Sequence, residues 1–185
     1  FRTYNQTMEY KNNFEIYKER QKYAEVFRWI NKNAKKDCVI LTPERLFLTK
    51  ALTIYTKCDT YLSDFASFVI PTERLWHNYL VYLRLIGIGT EEIDKYVEEK
   101  NGDILVYLYA AEPMAKPEFL IKNKKISLKM ADDYKEFLKK DFLEELKKYK
   151  ADYFIVERNN GKETISFDKT PLLYSSGNFL IFSLK

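Results

Sequence analysis

Polar residues follow two predicted strands at the places where a nucleotide-binding enzyme would have its site. The stretch KDCVILTPE predicts a buried strand over 38–42, and residues 59–63 predict a second, shorter strand. Ligands of open α/β sheets bind at the carboxyl ends of parallel strands. The polar residues after these two ends are Thr42, Glu44, Arg45 and Asp64. They are the candidate binding residues, and helix capping or surface ion pairing is the structural alternative.

The turn after the first strand lacks the features that hold a phosphate. A dinucleotide site needs G-x-G-x-x-G there, because glycine lets the backbone approach the pyrophosphate closely. Residues 42–45 are instead T-P-E-R. Glu44 would repel a phosphate at a helix start, and Pro43 has no amide hydrogen to donate. Asp64 stands where such folds place a ribose-binding acid, but it stands alone. The sequence therefore predicts no nucleotide cofactor.

The chain has few of the residues that catalysis by histidine or binding of a metal ion requires. His77 is the sole histidine, and it lies on a predicted helix without a neighbouring serine, cysteine or acid motif. We interpret it as a solvated helix residue. The chain has 2 cysteines, and they lack the C-x-x-C spacing of zinc sites. The sequence predicts neither a catalytic histidine nor a metal site.

Cys38 and Cys58 stand at the amino ends of the two predicted strands. If these strands are parallel neighbours in an oxidising compartment, the two sulfurs could pair in a disulfide. Two buried free thiols are the alternative, and the sequence leaves both open.

Composition narrows the classes of partner. The net charge of +4 is mild, and the basic surplus is interleaved with acids, so we expect no nucleic-acid partner. The stretch FLIKNKKISLKM, residues 119–130, mixes lysines with apolar residues and suits nucleic acid, an anionic membrane surface or a solvated loop. The 15 tyrosines and 13 phenylalanines suit an interface or a core built with rings. No apolar run reaches the length of about 18 residues that a membrane helix needs.

The elements that must position these residues alternate between helix and strand. Hydrophobic periodicity and capping signals predict helices over 9–33, 44–56, 72–86, 90–101 and 132–149. Strands are predicted at 38–42, 59–63, 104–109 and 153–157, with a short strand at 119–121. NNGK at 159–162 and SSGN at 175–178 predict hairpin turns. This order predicts one α/β domain over 1–185: a three-layer sandwich whose mostly parallel, Rossmann-like sheet ends in antiparallel C-terminal hairpins.

Three stretches carry a resemblance to a known class: EVFRWINKNAKKDCVILTPE, LTIYTKCDTYLSD and PTERLWHNYLVYLRLIGI. Their order is a helix ending in W-I-N-x-N, a strand after a Lys-Asp pair, a Tyr-Thr before the second strand, and a Glu-led helix. This pattern resembles the soluble C-terminal domain of multi-pass bacterial and archaeal membrane proteins of the type C glycosyltransferase-like class. The closing LLYSSGNFLIFSLK is similar to the final hairpin of that domain.

The resemblance implies a non-catalytic domain on the extracytoplasmic face of the cell membrane. In that class the catalytic acids lie in loops of the membrane part, so none is expected here. The first residue is then expected to follow the last membrane helix, with residues 1–8 as a juxtamembrane lead-in. The implied partners are the membrane portion of the parent protein and a glycan or lipid-linked sugar, and no cofactor is implied. The alternatives are a small cytosolic transferase or nucleotide-binding enzyme, with its site at the first two strand ends, and an intracellular interaction module.

Overall fold

The structure, a computed structural model, describes residues 18, 21–43, 47–62, 70–109, 116–158 and 170–185. Helices in these ranges are α1 Ala24–Asn33, α2 Phe47–Tyr55, α3 Thr72–Leu85, α4 Ile93–Glu99, α5 Asn101–Tyr109, α6 Pro117–Lys122, α7 Lys124–Leu138 and α8 Phe142–Leu146. The strands are β1 Val39–Leu41, β2 Asp59–Thr60, β3 Tyr153–Glu157, β4 Leu172–Ser176 and β5 Phe179–Ser183. A run of helices thus separates two short strands from the last three.

The five strands form one mixed sheet in the order β2-β1-β3-β5-β4. β1 pairs in parallel with β2, where Val39 lies opposite Asp59, and with β3. β5 pairs antiparallel with both β3 and β4. The predicted α/β class with an antiparallel C-terminal hairpin is confirmed. Two pairings are parallel and two are antiparallel, so the parallel part of the sheet is smaller than predicted.

Alternate residues of the central strands enter two separate hydrophobic clusters. Leu41 and Phe154 belong to a cluster built with α3, α4, α5, α7 and α8. Ile40 and Ile155 belong to the other cluster, built with α1, α2 and β5. Successive side chains of a strand point to opposite faces of the sheet, so a continuous apolar run such as CVIL serves both clusters. Residues 38–42 are apolar almost throughout because both faces of this strand are buried.

The predicted third strand at 104–109 is wrong, because these residues lie in helix α5. Its buried residues Ile104, Leu105, Tyr107 and Leu108 follow helical spacing. A short apolar run does not by itself distinguish a buried strand from a buried helix. The Asn-Gly pair at the predicted end of the helix 90–101 instead begins α5, and only Lys100 separates it from the end of α4 at Glu99.

The short strand predicted at 119–121 is wrong, because residues 117–130 form helix α6 and the start of α7. Pro117 occupies the first position of α6, where its missing N–H is no loss. The predicted helix 132–149 is divided, since α7 ends at Leu138 and Asp141 caps α8. The Asp141 carboxylate accepts a hydrogen bond from the Glu144 N–H at 3.0 Å, which restarts the helix.

Glycine positions at two chain reversals agree with the sequence. Gly177 has φ 54° in the turn between β4 and β5, and Gly87 has φ 75° after α3, so both lie in the left-handed region. The SSGN hairpin turn is therefore confirmed, and the strand predicted at 153–157 is β3. Pro71, not Thr72, stands at the cap position of α3. The NNGK turn and residues 9–17, 19 and 20 of the predicted first helix lie outside the described residues, while its end is helix α1.

Candidate functional site

The structure describes one of the four predicted binding residues. Thr42 directly follows β1 and is buried, with 2% of its surface exposed. Glu44, Arg45 and Asp64 lie outside the described residues. Assembly of the four into the rim of a pocket therefore stays a prediction, and Thr42 by itself is closed to solvent.

The carboxyl end of β2 meets the first turns of α3. Tyr61 directly follows β2 and is buried, and its main-chain oxygen accepts a hydrogen bond from the side-chain amide of Asn78 at 3.1 Å. This bond ties α3 to the strand end. Arg74 lies one turn before Asn78, so both occupy the same side of the helix. Polar side chains of α3 thereby gather at an edge of the sheet where ligands of α/β proteins bind.

His77 is part of this polar cluster, and its interpretation as a solvated residue was wrong. Only 8% of its surface is exposed. Its Nδ1 lies 3.8 Å from a carboxylate oxygen of Glu145 on α8, and its ring contacts Phe137 and Tyr149 with centroids 5.8 and 5.2 Å apart. These partners come from distant parts of the chain. The side of α3 that carries His77 is therefore covered by other side chains, whereas the local sequence predicted that it is exposed to water.

Glu145 is a buried carboxylate held by lysines. The Lys148 ammonium lies 2.6 Å from one of its oxygens, and the Lys140 ammonium lies 3.8 Å from the other. Burial raises the pKa of Glu145, but the hydrogen bond and charge of Lys148, with Lys140, outweigh burial and hold this pKa below its ordinary value. The carboxylate is thus ionised at neutral pH.

The pKa of His77 is shifted downward as well. Burial is the main cause, the charge of Lys148 adds to it, and the neighbouring Glu145 carboxylate opposes it. At neutral pH the site therefore holds a neutral imidazole beside an ionised carboxylate. Their 3.8 Å separation is longer than the hydrogen bond of about 2.6 to 3.2 Å expected of a general base and its partner. The pair is arranged as a packed structural contact.

Several buried polar atoms of the cluster have no hydrogen-bond partner in the described part of the chain. They are Tyr61 Oη, Arg74 Nε, His77 Nε2 and Asn78 Oδ1. Burial raises the pKa of the Tyr61 hydroxyl, against the lowering effect of the Arg74 charge, so the phenol stays protonated. The Arg74 guanidinium lies 5.1 Å from the ring centre of Tyr149. Native proteins leave few such atoms unpaired, and here they concentrate on one strand end and one helix.

One signal in the sequence indicates this cluster, and the prediction of a solvated His77 overlooked it. His77 and Asn78 are the polar residues, besides tryptophan and tyrosine, within the run LWHNYLVYL, residues 75–83. Polar residues inside an apolar helical segment indicate buried hydrogen bonding. No local pattern marks Glu145, whose role depends on the packing of α8 against α3.

An open pocket of about 240 Å³ lies between α1, the end of β3 and the β4–β5 turn. Glu25, Lys22, Glu157 and Ser176 contribute to its lining. The Ser176 hydroxyl donates to the Glu25 carboxylate, and the Lys22 ammonium lies 3.6 Å from a Glu157 oxygen. The volume is below the range of about 300 to 1,000 Å³ that is common for ligand sites. Its polar groups mainly satisfy one another.

Cys38 and Cys58 are joined in a disulfide, with their Cα atoms 4.5 Å apart. The register that sets Val39 opposite Asp59 also sets the two preceding residues side by side. Both cysteines are buried, and the Asp59 N–H donates to the Cys38 carbonyl at 2.7 Å. Of the two alternatives left open by the sequence, the structure has the disulfide.

Two further findings bear on the class of protein. In the ranges that the structure describes, no helix has the length and apolar character needed to cross a membrane, and no three His, Cys, Asp or Glu side chains are grouped to hold a metal ion. The chain matches no protein-family model, no curated protein and no solved structure. The resemblance to the type C glycosyltransferase-like class therefore remains a prediction from sequence pattern.

Proposed function

We propose that this chain is a non-catalytic extracytoplasmic domain of a polytopic membrane protein that resembles lipid-linked-sugar glycosyltransferases, and that it helps to bind an acceptor or a partner. The observation that carries the proposal is the disulfide between Cys38 and Cys58. Disulfides persist in oxidising compartments and are rare in the cytosol of most organisms. The resemblance suggests the class of the parent protein, and the disulfide supports the extracytoplasmic side of the membrane.

The non-catalytic role is supported by the burial of the groups that could transfer protons. Phe137 and Tyr149 pack against the His77 ring, and lysines neutralise Glu145. A general base needs to reach a proton of the substrate, and these side chains are turned to one another. The partners of the domain in this proposal are the membrane portion of the parent protein and a glycan or lipid-linked sugar.

The finer description of the fold belongs to the same proposal. A three-layer, Rossmann-like arrangement places α1 and α2 against one face of the sheet, and α3, α4, α5, α7 and α8 against the other. The support for it is that Ile40 and Leu41, neighbours on β1, enter different hydrophobic clusters.

Thiol trapping in the native host tests the proposed compartment. The full-length gene product is quenched in acid and labelled with a thiol-reactive polymer before and after reduction, alongside a Cys38→Ser/Cys58→Ser variant. We expect wild type and variant to label equally before reduction and to differ by two adducts after it. Two extra wild-type adducts before reduction would contradict the proposal, as would a carboxyl-terminal reporter fusion that is active only in the cytoplasm.

A small cytosolic transferase or nucleotide-binding enzyme is the second candidate, with its site at the carboxyl ends of β1 and β2. The observation that favours it is the group of unpartnered polar atoms at the end of β2. A ligand that binds the folded state raises the melting temperature, so a thermal-shift screen separates the candidates. The accessory domain is expected to ignore nucleotides and sugar nucleotides. A rise in Tm that Arg74→Gln abolishes would favour the enzyme instead.

A further inference from the structure

Two exposed aliphatic residues lie on neighbouring helices in a lysine-rich part of the structure. Ile121 on α6 is 84% exposed, and Leu128 on α7 is 48% exposed. Asn123 alone separates the two helices, and its N–H donates to the Phe119 carbonyl at 3.0 Å, as in a continuing helical turn. We refer to Ile121, Leu128 and the exposed lysines 124, 125 and 129 as the α6–α7 surface.

The charges around these aliphatic residues are mainly positive. Residues 116–130 contain five lysines and one glutamate. Lys125 is exposed and forms no ion pair with the described residues. Lys124 lies 3.1 Å from Glu98, and Lys129 lies 3.9 Å from Asp133, but their side chains are 55% and 72% exposed. Ion pairs this exposed contribute little and exchange readily for other anions.

The other exposed aliphatic residues differ in their surroundings. Leu172 and Leu173 on the edge strand β4 lie within residues 170–178, which contain no charged residue. Ile54 on α2 is 71% exposed and has two lysines, Lys50 and Lys57, within four residues along the chain, but it is a single aliphatic side chain. The α6–α7 surface is thus distinguished by two exposed aliphatic side chains together with three exposed lysines.

This combination matches the interface of an anionic bilayer. Aliphatic side chains enter the boundary between headgroups and acyl chains, and each lysine near the surface is attracted by the negative headgroups. Long lysine stems can also lie along the apolar boundary while their ammonium groups reach phosphate.

We propose that the α6–α7 surface binds the headgroup region of an anionic membrane, with Ile121 and Leu128 in the bilayer interface and Lys124, Lys125 and Lys129 against lipid phosphates. The inference rests on the proposed function, because that function places the domain beside a bilayer. It adds which face that is and which lipids it prefers.

Vesicle sedimentation tests this inference with the 185-residue chain. The vesicles are phosphatidylcholine alone, or phosphatidylcholine with phosphatidylglycerol at about three to one. We expect binding to the anionic vesicles that falls as salt is raised, and little binding to the neutral ones. Ile121→Ser/Leu128→Ser and Lys125→Glu/Lys129→Glu should each weaken it at least about tenfold.

Matched controls lie elsewhere on the molecule. Ile54→Ser removes an equally exposed aliphatic residue, and Lys32→Glu reverses an exposed lysine at the end of α1, so both should bind as wild type. Equal binding to neutral vesicles, loss of binding in the controls, or full binding by the α6–α7 variants would overturn the inference. Tighter binding to single-stranded nucleic acid than to vesicles would also overturn it.

The two proposals fail separately. Absent vesicle binding together with an oxidised Cys38–Cys58 pair in cells removes only the membrane-facing surface. Vesicle binding together with reduced thiols in cells removes the extracytoplasmic assignment.

Discussion

The side-chain carboxylate of Asp152 accepts a hydrogen bond from the main-chain N–H of Val39 at 2.9 Å, and the Asp152 N–H donates to the Val39 carbonyl at 2.8 Å. Asp152 is 2% exposed, and its other oxygen lies 2.5 Å from the ammonium of Lys185. The Leu184 N–H also donates to the Asp152 carbonyl at 3.0 Å. Asp152, the residue just before β3, therefore connects the amino end of β1 to the last two residues, Leu184 and Lys185.

Replacing Asp152 should destabilise the fold and change its response to acid. Burial raises the pKa of Asp152, but the hydrogen bonds from Lys185 and Val39 outweigh burial and hold it below the ordinary 3.8. The unfolded chain then binds a proton at higher pH than the native chain does. The stabilisation is present above about pH 4 and is lost as the pH falls through the lower native value. We expect Asp152→Asn to cost about 2 kcal/mol at pH 7.

Urea unfolding at a series of pH values from neutral to acid measures this effect. The free energy of unfolding of Asp152→Asn should fall less steeply than that of wild type below about pH 4. Asp103→Asn is the control, because Asp103 is 72% exposed and pairs with Lys100 on the surface of α5. Parallel pH curves for wild type and Asp152→Asn would show that the carboxylate does not have the lowered pKa.

The buried imidazole of His77 gives a second pH dependence of known sign. Burial and the charges of Lys148 and Lys140 lower its pKa, and Glu145 opposes them. The unfolded state therefore takes up a proton first as the pH falls below about 6.5. Stability contributed by the neutral ring is present above that pH and is lost as the pH falls through the native pKa of His77.

NMR titration of His77 checks this directly, because the chain has 1 histidine and therefore one imidazole signal to follow. We expect a midpoint below 6.5, and a Glu145→Gln variant with a midpoint lower still, since the opposing carboxylate is removed. His77→Gln should flatten the stability curve between pH 6.5 and the wild-type midpoint. A midpoint at or above the ordinary value would mean that the ring is solvated, as the sequence first indicated.

Replacement by alanine should have opposite effects on the free energy of unfolding at Gly177 and at Gly102. Gly177 has φ 54°, where a side chain is strained even though an added Cβ meets nothing within 4 Å. Gly177→Ala should therefore lower the free energy of unfolding by about 1 kcal/mol. Gly102 lies in α5 and an added Cβ there also meets nothing within 4 Å, so Gly102→Ala should raise it by about 0.4 to 1 kcal/mol.

Urea unfolding of the two variants under identical conditions separates backbone strain from packing. Gly177→Asn is the control for the turn, because asparagine enters the left-handed region more easily than alanine does, and it should cost less than Gly177→Ala. Equal and same-signed changes at Gly177 and Gly102 would contradict the assigned backbone conformations.

The parts of the fold that were predictable from sequence have local signals. The SSGN turn, the proline after β1 and the apolar run before it mark their elements within a few residues. Helix α5 was not predictable in this way, because ILVYLY over 104–109 satisfies both a buried strand and a buried helix. These residues form a helix because of their packing against α3 and α7, and that packing cannot be derived from the local sequence.

The candidate site was less predictable than the fold. The rule for open sheets placed a site at the ends of β1 and β2, and the polar cluster does lie at the end of β2. Its members Tyr61, His77 and Glu145 meet only after α8 packs on α3, so their burial could not be derived from spacing along the chain. The disulfide was easier, because the positions of Cys38 and Cys58 before adjacent strands already set them close together.

Reduction of the Cys38–Cys58 bond should destabilise the domain without changing its sheet order. The bond closes a loop that contains β1 and α2 and ends just before β2, with a sequence separation of 20. In the chain-entropy description, a loop of this length restricts the unfolded state by about 3 kcal/mol. Urea unfolding with and without dithiothreitol should show a loss of this size for wild type. The Cys38→Ala/Cys58→Ala variant should have the stability of the reduced wild type in both conditions, because it has no disulfide for the reductant to break.

The reduced protein should keep its secondary structure at low urea. Main-chain hydrogen bonds hold the parallel register of Val39 with Asp59 as well as the disulfide does, so the far-ultraviolet circular dichroism should not change. Equal unfolding midpoints with and without dithiothreitol would show that the two thiols are free, and would remove the main support for an extracytoplasmic location.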